Sequence, residues 1–131
     1  MRLLLDTHIW IWSLLEPGRL TPRVSRALQN QANEIWISPI SIWELLMLVE
    51  RGRVILKMSV EEWMAQALAV APMKEAPLTI EVALATRRVQ LSHRDPADAF
   101  LVATAQVFEL ILVTADTRLL AAKGISHLPN R

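Results

Sequence analysis

Residues 1–12 read MRLLLDTHIWIW, and the fold turns on how this stretch is parsed. Leu3, Leu4 and Leu5 form an apolar run without polar alternation, the pattern of a short strand buried on both faces. Asp6 closes the run. Thr7 to Leu15 then has the length and composition of a helix, ended by the turn residues Glu16-Pro17-Gly18-Arg19. A strand that passes through one acid straight into a helix is the opening of a parallel α/β layer. In such sheets function sits beyond the carboxyl ends of the strands, so the residue after each strand is the one to inspect.

The rest of the chain repeats the alternation. Thr21-Pro22 reads as an N-cap and first helical residue of a helix to about Gln31. Ile35 to Ile37 is a second strand, and Ser38-Pro39 opens a helix that stops near Arg51-Gly52. Ser59 caps another helix, with Glu61 and Glu62 in its first turn. Ala76 to Leu78 reads as a third, very short strand, followed by a helix from about Ile80 to Val89. Asp95-Pro96 begins a helix to about Phe108, and Leu110 to Thr114 is the clearest buried strand. Asp116 opens a last helix ended by Gly124, and Ile125 to Leu128 reads as an edge strand. The expected architecture is a parallel sheet with helices on both faces.

Composition narrows the function classes. The 131 residues suit one domain, 1–131. With 53% hydrophobic and 21% charged residues the chain has ample material for a core and is not a disordered chain. A net charge of +1 gives no overall basic field that would advertise nucleic acid. There is no cysteine, which excludes disulfide and thiolate chemistry. Arg2 and the leucines after it are interrupted by Asp6 and His8, unlike a signal peptide. The apolar stretch AFLVATAQVFELILVTA is broken by Gln106 and Glu109, so no membrane span is expected. The expected location is the cytoplasm.

Asp6 and Asp116 follow strands and, if those strands are neighbours, project from one sheet edge. Asp98 lies in the first turn of the helix leading into the later strand. Glu44 lies in the helix after the second strand. Each has an ordinary reading. Asp6, Asp95 and Asp116 suit N-caps, and Asp98 complements a helix dipole. Glu44 fits such a reading least well. Its helical neighbours Ile40, Met47 and Leu48 are apolar, with Ser41 the one polar exception, and burying an unpaired carboxylate is costly.

No lysine or arginine is obviously reserved for these acids. Carboxylates drawn into one crevice repel each other and raise each other's pKa values, which a hard divalent cation resolves. Oxygen donors select Mg²⁺ or Mn²⁺ over Zn²⁺. Such a site suits phosphoryl chemistry, in which the metal activates water and stabilises charge on phosphate oxygens. Arg94 and Arg118, with Arg51, Arg53, Arg87 and Arg88 behind them, are candidates to hold an anionic substrate, or are plain surface charge. Thr7 and Thr114 stand beside the strand-end acids, where their hydroxyls orient a carboxylate or serve a turn. His8 and His93 are weaker candidates for general bases.

At this point four segments, LLLDTHIWIW, SIWELLMLVERGR, HRDPADAFLVATA and LVTADTRLL, resemble in order the signature regions of PIN-domain nucleases, and among them the toxins of VapBC-type toxin–antitoxin pairs. The resemblance covers essentially the whole chain. It implies an α/β/α sandwich with a parallel sheet of about five short strands and Mg²⁺ or Mn²⁺ in an acidic pocket. It implies an endoribonuclease leaving 5′-phosphate ends, with Asp6, Glu44, Asp98 and Asp116 as the catalytic, metal-holding quartet. Thr114 matches the hydroxyl residue that often stands two positions before the last acid, and Asp95 the first acid of a DPxD pattern. Ala99 departs from the arginine often found there. The resemblance also implies a homodimer and a small antitoxin that presses a segment into a groove. Trp10, Trp12, Trp43 and Met47 are candidates for that groove.

The leading expectation is a metal-dependent ribonuclease acting as a toxin. An RNA-binding or regulatory module of the same fold without turnover is the alternative. A receiver-type phosphoacceptor domain ranks lower, because TADTR stands where such a domain needs a lysine.

Overall fold

A computed structural model describes residues 1–131. Five strands form one parallel sheet: β1 (Arg2–Leu5), β2 (Glu34–Ile37), β3 (Lys74–Glu75), β4 (Ile111–Thr114) and β5 (Ser126–Pro129). Their order across the sheet is β3-β2-β1-β4-β5, so β1 and β4 are central neighbours, in register from Leu3↔Ile111 to Leu5↔Val113. The chain winds outward from β1 to one edge and then returns to β4 on the other side. The sheet therefore has its switch point between β1 and β4, where α/β sheets carry their crevice.

Seven helices cover the two faces: α1 (Thr7–Leu15), α2 (Pro22–Gln29), α3 (Pro39–Glu50), α4 (Val60–Val70), α5 (Ile80–Ala85), α6 (Pro96–Phe108) and α7 (Thr117–Leu120). Alternation along β1 divides the core. Leu3 and Leu5 join Ile9, Trp10, Val24, Leu45 and Trp63 on the face of α1 to α4. Leu4 joins Leu101, Val102, Leu112 and Leu119 on the face of α6 and α7. Leu3 and Leu4 are wholly buried, and truncating such a leucine to alanine costs about 2–5 kcal/mol. No helix is long and apolar enough to cross a membrane.

The helix starts follow the cap chemistry of the sequence. Side chains of Asp6, Thr21, Ser38, Ser59, Thr79, Asp95 and Asp116 each accept a backbone N–H of the helix that follows. Three of these caps follow the inner strands: Asp6 and Ser38 come directly after β1 and β2, and Asp116 comes two residues after β4. Some expected element bounds need correcting. The third strand lies at Lys74–Glu75, not at Ala76–Leu78. Both its residues are exposed; they join the ladder beside Trp36 and Ile37 through the backbone, and the Lys74 side chain reaches Glu34 and the Trp36 ring, so no apolar run marks it. The helix expected to reach Val89 ends at Ala85, and residues Thr86–Arg88 tighten into a 3₁₀ turn.

Candidate metal centre

The carboxyl edge of β1 and β4 opens into a cavity of about 390 Å³. Its wall carries Asp6, Glu44, Asp95, Asp98 and Asp116, with His8, Trp12, Ala115 and Arg118. All four acids picked out from the sequence are thus brought to one place, together with Asp95. Asp6 arrives from the end of β1 and Asp116 from beyond β4. Asp98 comes from the first turn of α6, and Glu44 from the middle of α3. Capping does not compete with this arrangement. Each carboxylate accepts about four hydrogen bonds or metal contacts, and the caps use one or two of them.

Asp6 is held at both oxygens. Oδ1 accepts the Thr7 N–H at 2.7 Å, and Oδ2 accepts the Thr114 hydroxyl at 2.8 Å. Thr114 Oγ1 in turn accepts the Asp116 N–H at 3.0 Å, so one threonine links the two strand-end acids. Thr7 donates its hydroxyl to Glu44 Oε1 at 2.6 Å, and its oxygen lies 2.8 Å from Ser41 Oγ. Thr7, Thr114 and Ser41 are all fully buried. Ser41 was visible in the sequence only as the polar neighbour of Glu44; here it completes the brace.

On the other wall, His93 Nε2 lies 2.6 Å from Asp98 Oδ2. Asp95 Oδ1 accepts the Ala97 and Asp98 N–H groups at 3.0 and 3.4 Å. Donor atoms of His93, Asp95 and Asp98 come within 4.8 Å of one another, a spacing that could hold a metal ion. Arg118 turns back on Asp116, with Nη2 donating to Oδ2 at 3.0 Å and Nε to Oδ1 at 3.3 Å. Arg94 is exposed and lies off the cavity, in a shallow depression with Leu91, His93 and Pro96. Among the apolar candidates, Trp10 is core: it is 1% exposed and packs edge-on against Trp63. Trp43 is about half exposed on α3, Met47 is half-buried, and Trp12 lines the acid cavity itself.

The charges are poorly matched. Burial lifts the carboxyls of Asp6, Glu44 and Asp98 above their ordinary values. The hydroxyls of Thr114 and Thr7 and the ring of His93 oppose the lift, and neighbouring carboxylates add to it. Asp116 goes the other way, held below its ordinary value by the hydrogen bond from Arg118. Five carboxylates therefore face a single guanidinium. The donors are almost all carboxylate oxygens, the set that a hard divalent cation takes, and its charge would answer the surplus.

Residues 3–125 match the family model of the PIN domain. Ribonuclease VapC22 of Mycobacterium tuberculosis is 35% identical over 117 residues, which is 88% of each chain. Solved structures share the fold at lower identity. VapBC2 from Rickettsia felis, bound to a DNA fragment from its promoter, aligns with a TM-score of 0.72 at 14% identity, over 98% of both chains. DNA-bound VapBC from Salmonella typhimurium aligns at 0.70 and 17% identity, over 100% of this chain and 99% of that one. A toxin–antitoxin complex from Klebsiella pneumoniae aligns at 0.68 and 21% identity, over 98% and 97%. With the acid cavity at the β1–β4 switch point, a family match over residues 3–125 and a curated relative of this identity, the chain belongs to the PIN-domain family.

Proposed function

We propose that this protein is a metal-dependent endoribonuclease, the toxin of a toxin–antitoxin pair, acting in the cytoplasm as one domain over residues 1–131. The observation that carries the reading is the cavity wall on which Asp6, Glu44, Asp98 and Asp116 converge with one opposing guanidinium. The similarity to a protein named as a ribonuclease supports RNA as the substrate.

Asp6, Glu44, Asp98 and Asp116 would hold Mg²⁺ or Mn²⁺. When bound, the cation supplies Lewis acidity to a phosphate and its attacking water. The chain's part is to keep the acids in place and charged. Thr114 fixes Asp6, and Thr7 fixes Glu44, both through neutral hydroxyls that orient without cancelling charge. His93 and Arg118 fix Asp98 and Asp116. The hydrolysis yields 5′-phosphate ends.

A small antitoxin and a second copy of this chain are the proposed protein partners. The solved relatives named as VapBC complexes support the antitoxin. A mostly apolar cavity of about 480 Å³ between α1, α2 and the segment after α4 offers it a seat. Exposed Trp43 and Leu46 on α3, and Ile80 and Leu84 on α5, leave apolar surface for protein contacts.

The test is cleavage of total cellular RNA by the antitoxin-free protein in Mg²⁺ or Mn²⁺, beside an EDTA control and Asp6→Asn. Discrete metal-dependent fragments with 5′-phosphates, absent in the variant, are expected. A folded protein that binds Mn²⁺ and RNA but cuts nothing would instead be a binding module.

A further inference from the structure

The acid cavity does not end at its acids. His8 and Trp12 line it and also line a second cavity of about 350 Å³, between α1 and the segment after α3, so the two share a wall. The sign of the charge changes across that wall. The second cavity carries Arg19 and Arg53 against Glu16. Arg19 shares Glu16 at 3.5 Å, whereas the Arg53 guanidinium has no acid partner. The Arg19 guanidinium lies 4.1 Å over the Trp12 ring, and the His8 ring tilts against it at 5.8 Å. Beyond them Ile55 is 86% exposed.

We infer that a single strand of RNA leaves the acid cavity across this shared wall, with a base displacing the exposed Arg19 guanidinium from the Trp12 indole and stacking there, and the following phosphate on Arg53. The inference rests on the nuclease reading and gives it a direction. Single strands are bound by aromatic faces that accept any base, together with cations that track the backbone. Bases paired inside an A-form duplex cannot offer their faces to a side chain. Trp12 stands six residues beyond Asp6 on α1, about 9 Å along the helix axis, so the stacked base is one near the bond that is cut. The other arginines near the acids serve less well. Arg118 is committed to Asp116, and Arg94 lies outside the cavity.

Binding separates this path from turnover. The full chain with Asp6→Asn, free of antitoxin and in Mg²⁺, is titrated with a labelled single-stranded oligoribonucleotide and with the same sequence as a duplex, over a series of salt concentrations. The single strand should bind more tightly. Adding Trp12→Ala should weaken it on the order of ten-fold, with Trp12→Phe restoring most of the loss. Adding Arg53→Gln, an exposed change that leaves the core alone, should lower the slope of log affinity against log salt by about 0.7, one phosphate contact on a single strand. Arg26→Gln on α2 should leave weaker binding only through its charge at long range, with affinity close to that of the parent.

Duplex binding as tight as single-strand binding overturns the path, as does no binding at all. So does parent-like affinity and salt slope in both the Trp12 and Arg53 variants. Loss of affinity for an antitoxin peptide with RNA binding intact would assign the wall to protein and also overturns it. Cleavage by the unmutated chain, with KM and kcat unchanged by Trp12→Ala and Arg53→Gln, sinks the path and leaves the ribonuclease standing. Binding that depends on both residues, with no cleavage by the unmutated chain, keeps the path and sinks the ribonuclease.

Discussion

The two halves of the acid cavity are braced by opposite chemistry. Asp6 and Glu44 lean on buried hydroxyls, those of Thr114 and Thr7. Asp98 and Asp116 lean on groups able to carry positive charge, His93 and Arg118. A hydroxyl fixes an oxygen and leaves its charge to be answered elsewhere. A guanidinium fixes an oxygen and answers part of the charge at once. The first half is therefore the stronger anchor for a metal, and the second is partly satisfied without one. Substitutions on the two sides should separate accordingly.

The largest expected effect is that of Asp6→Asn, which removes a charge at the centre of the first half. RNA cleavage should fall by about a thousandfold, measured as initial rate at saturating Mn²⁺. A variant that keeps a tenth of the rate would move the anchor to the other half. Next comes Thr7→Val, which leaves every carboxylate in place and frees Glu44. A loss of roughly 10- to 100-fold in metal affinity or rate is expected, read by Mn²⁺ titration. An equal loss in His93→Ala would erase the distinction between the halves.

Stability should divide the acids differently, because at Asp98 burial outweighs the hydrogen bond of His93. Asp6, Glu44 and Asp98 have carboxyls lifted in the folded state from reference values of 3.8, 4.5 and 3.8. Their favourable contribution is complete below those values and is lost as pH rises through the lifted ones. Asp116 acts in reverse: its contribution is present above 3.8 and is lost as pH falls. Each unit of lift costs about 1.4 kcal/mol once the group is ionised. Thermal melts in EDTA should thus show the midpoint falling from acidic toward neutral pH, and excess Mg²⁺ should reverse the fall. Asp6→Asn should flatten the slope; an unchanged slope would show that Asp6 carries none of the strain. The smallest effect is expected for Arg118→Gln. The pair is exposed, so the midpoint at neutral pH should hold. The Asp116 carboxyl should titrate higher, as followed by carbon NMR.

Most of the site was legible because it follows strands, and strands were legible where they are buried. Leu3–Leu5 and Leu110–Thr114 announce themselves as apolar runs, and Asp6 and Asp116 stand just past them. Glu44 was legible as a charge on an apolar helix. The third strand is hard to place from sequence because Lys74 and Glu75 contribute no buried side chain; only their backbone joins the ladder, which Ala76 N–H extends by donating to Ile37 O at 2.8 Å. The partners of the acids were less readable. The placement of His93 against Asp98 depends on how the segment before α6 turns, and nothing in its composition sets that path. Arg118 looked free for RNA, since no periodicity shows that a guanidinium two residues from an acid folds back on it.

One contact sets a clock. The hydroxyl that fixes Asp6 belongs to Thr114, 108 residues later in the chain. Polypeptides are made at about 5–20 residues per second, so the first acid waits on the order of 5–20 s for its brace. Until then β1 has no β4 beside it, and the half-made chain carries its acids without their geometry. With β1 and β4 neighbours in the sheet but more than a hundred residues apart in sequence, the acid cavity can take shape only after β4 has been made.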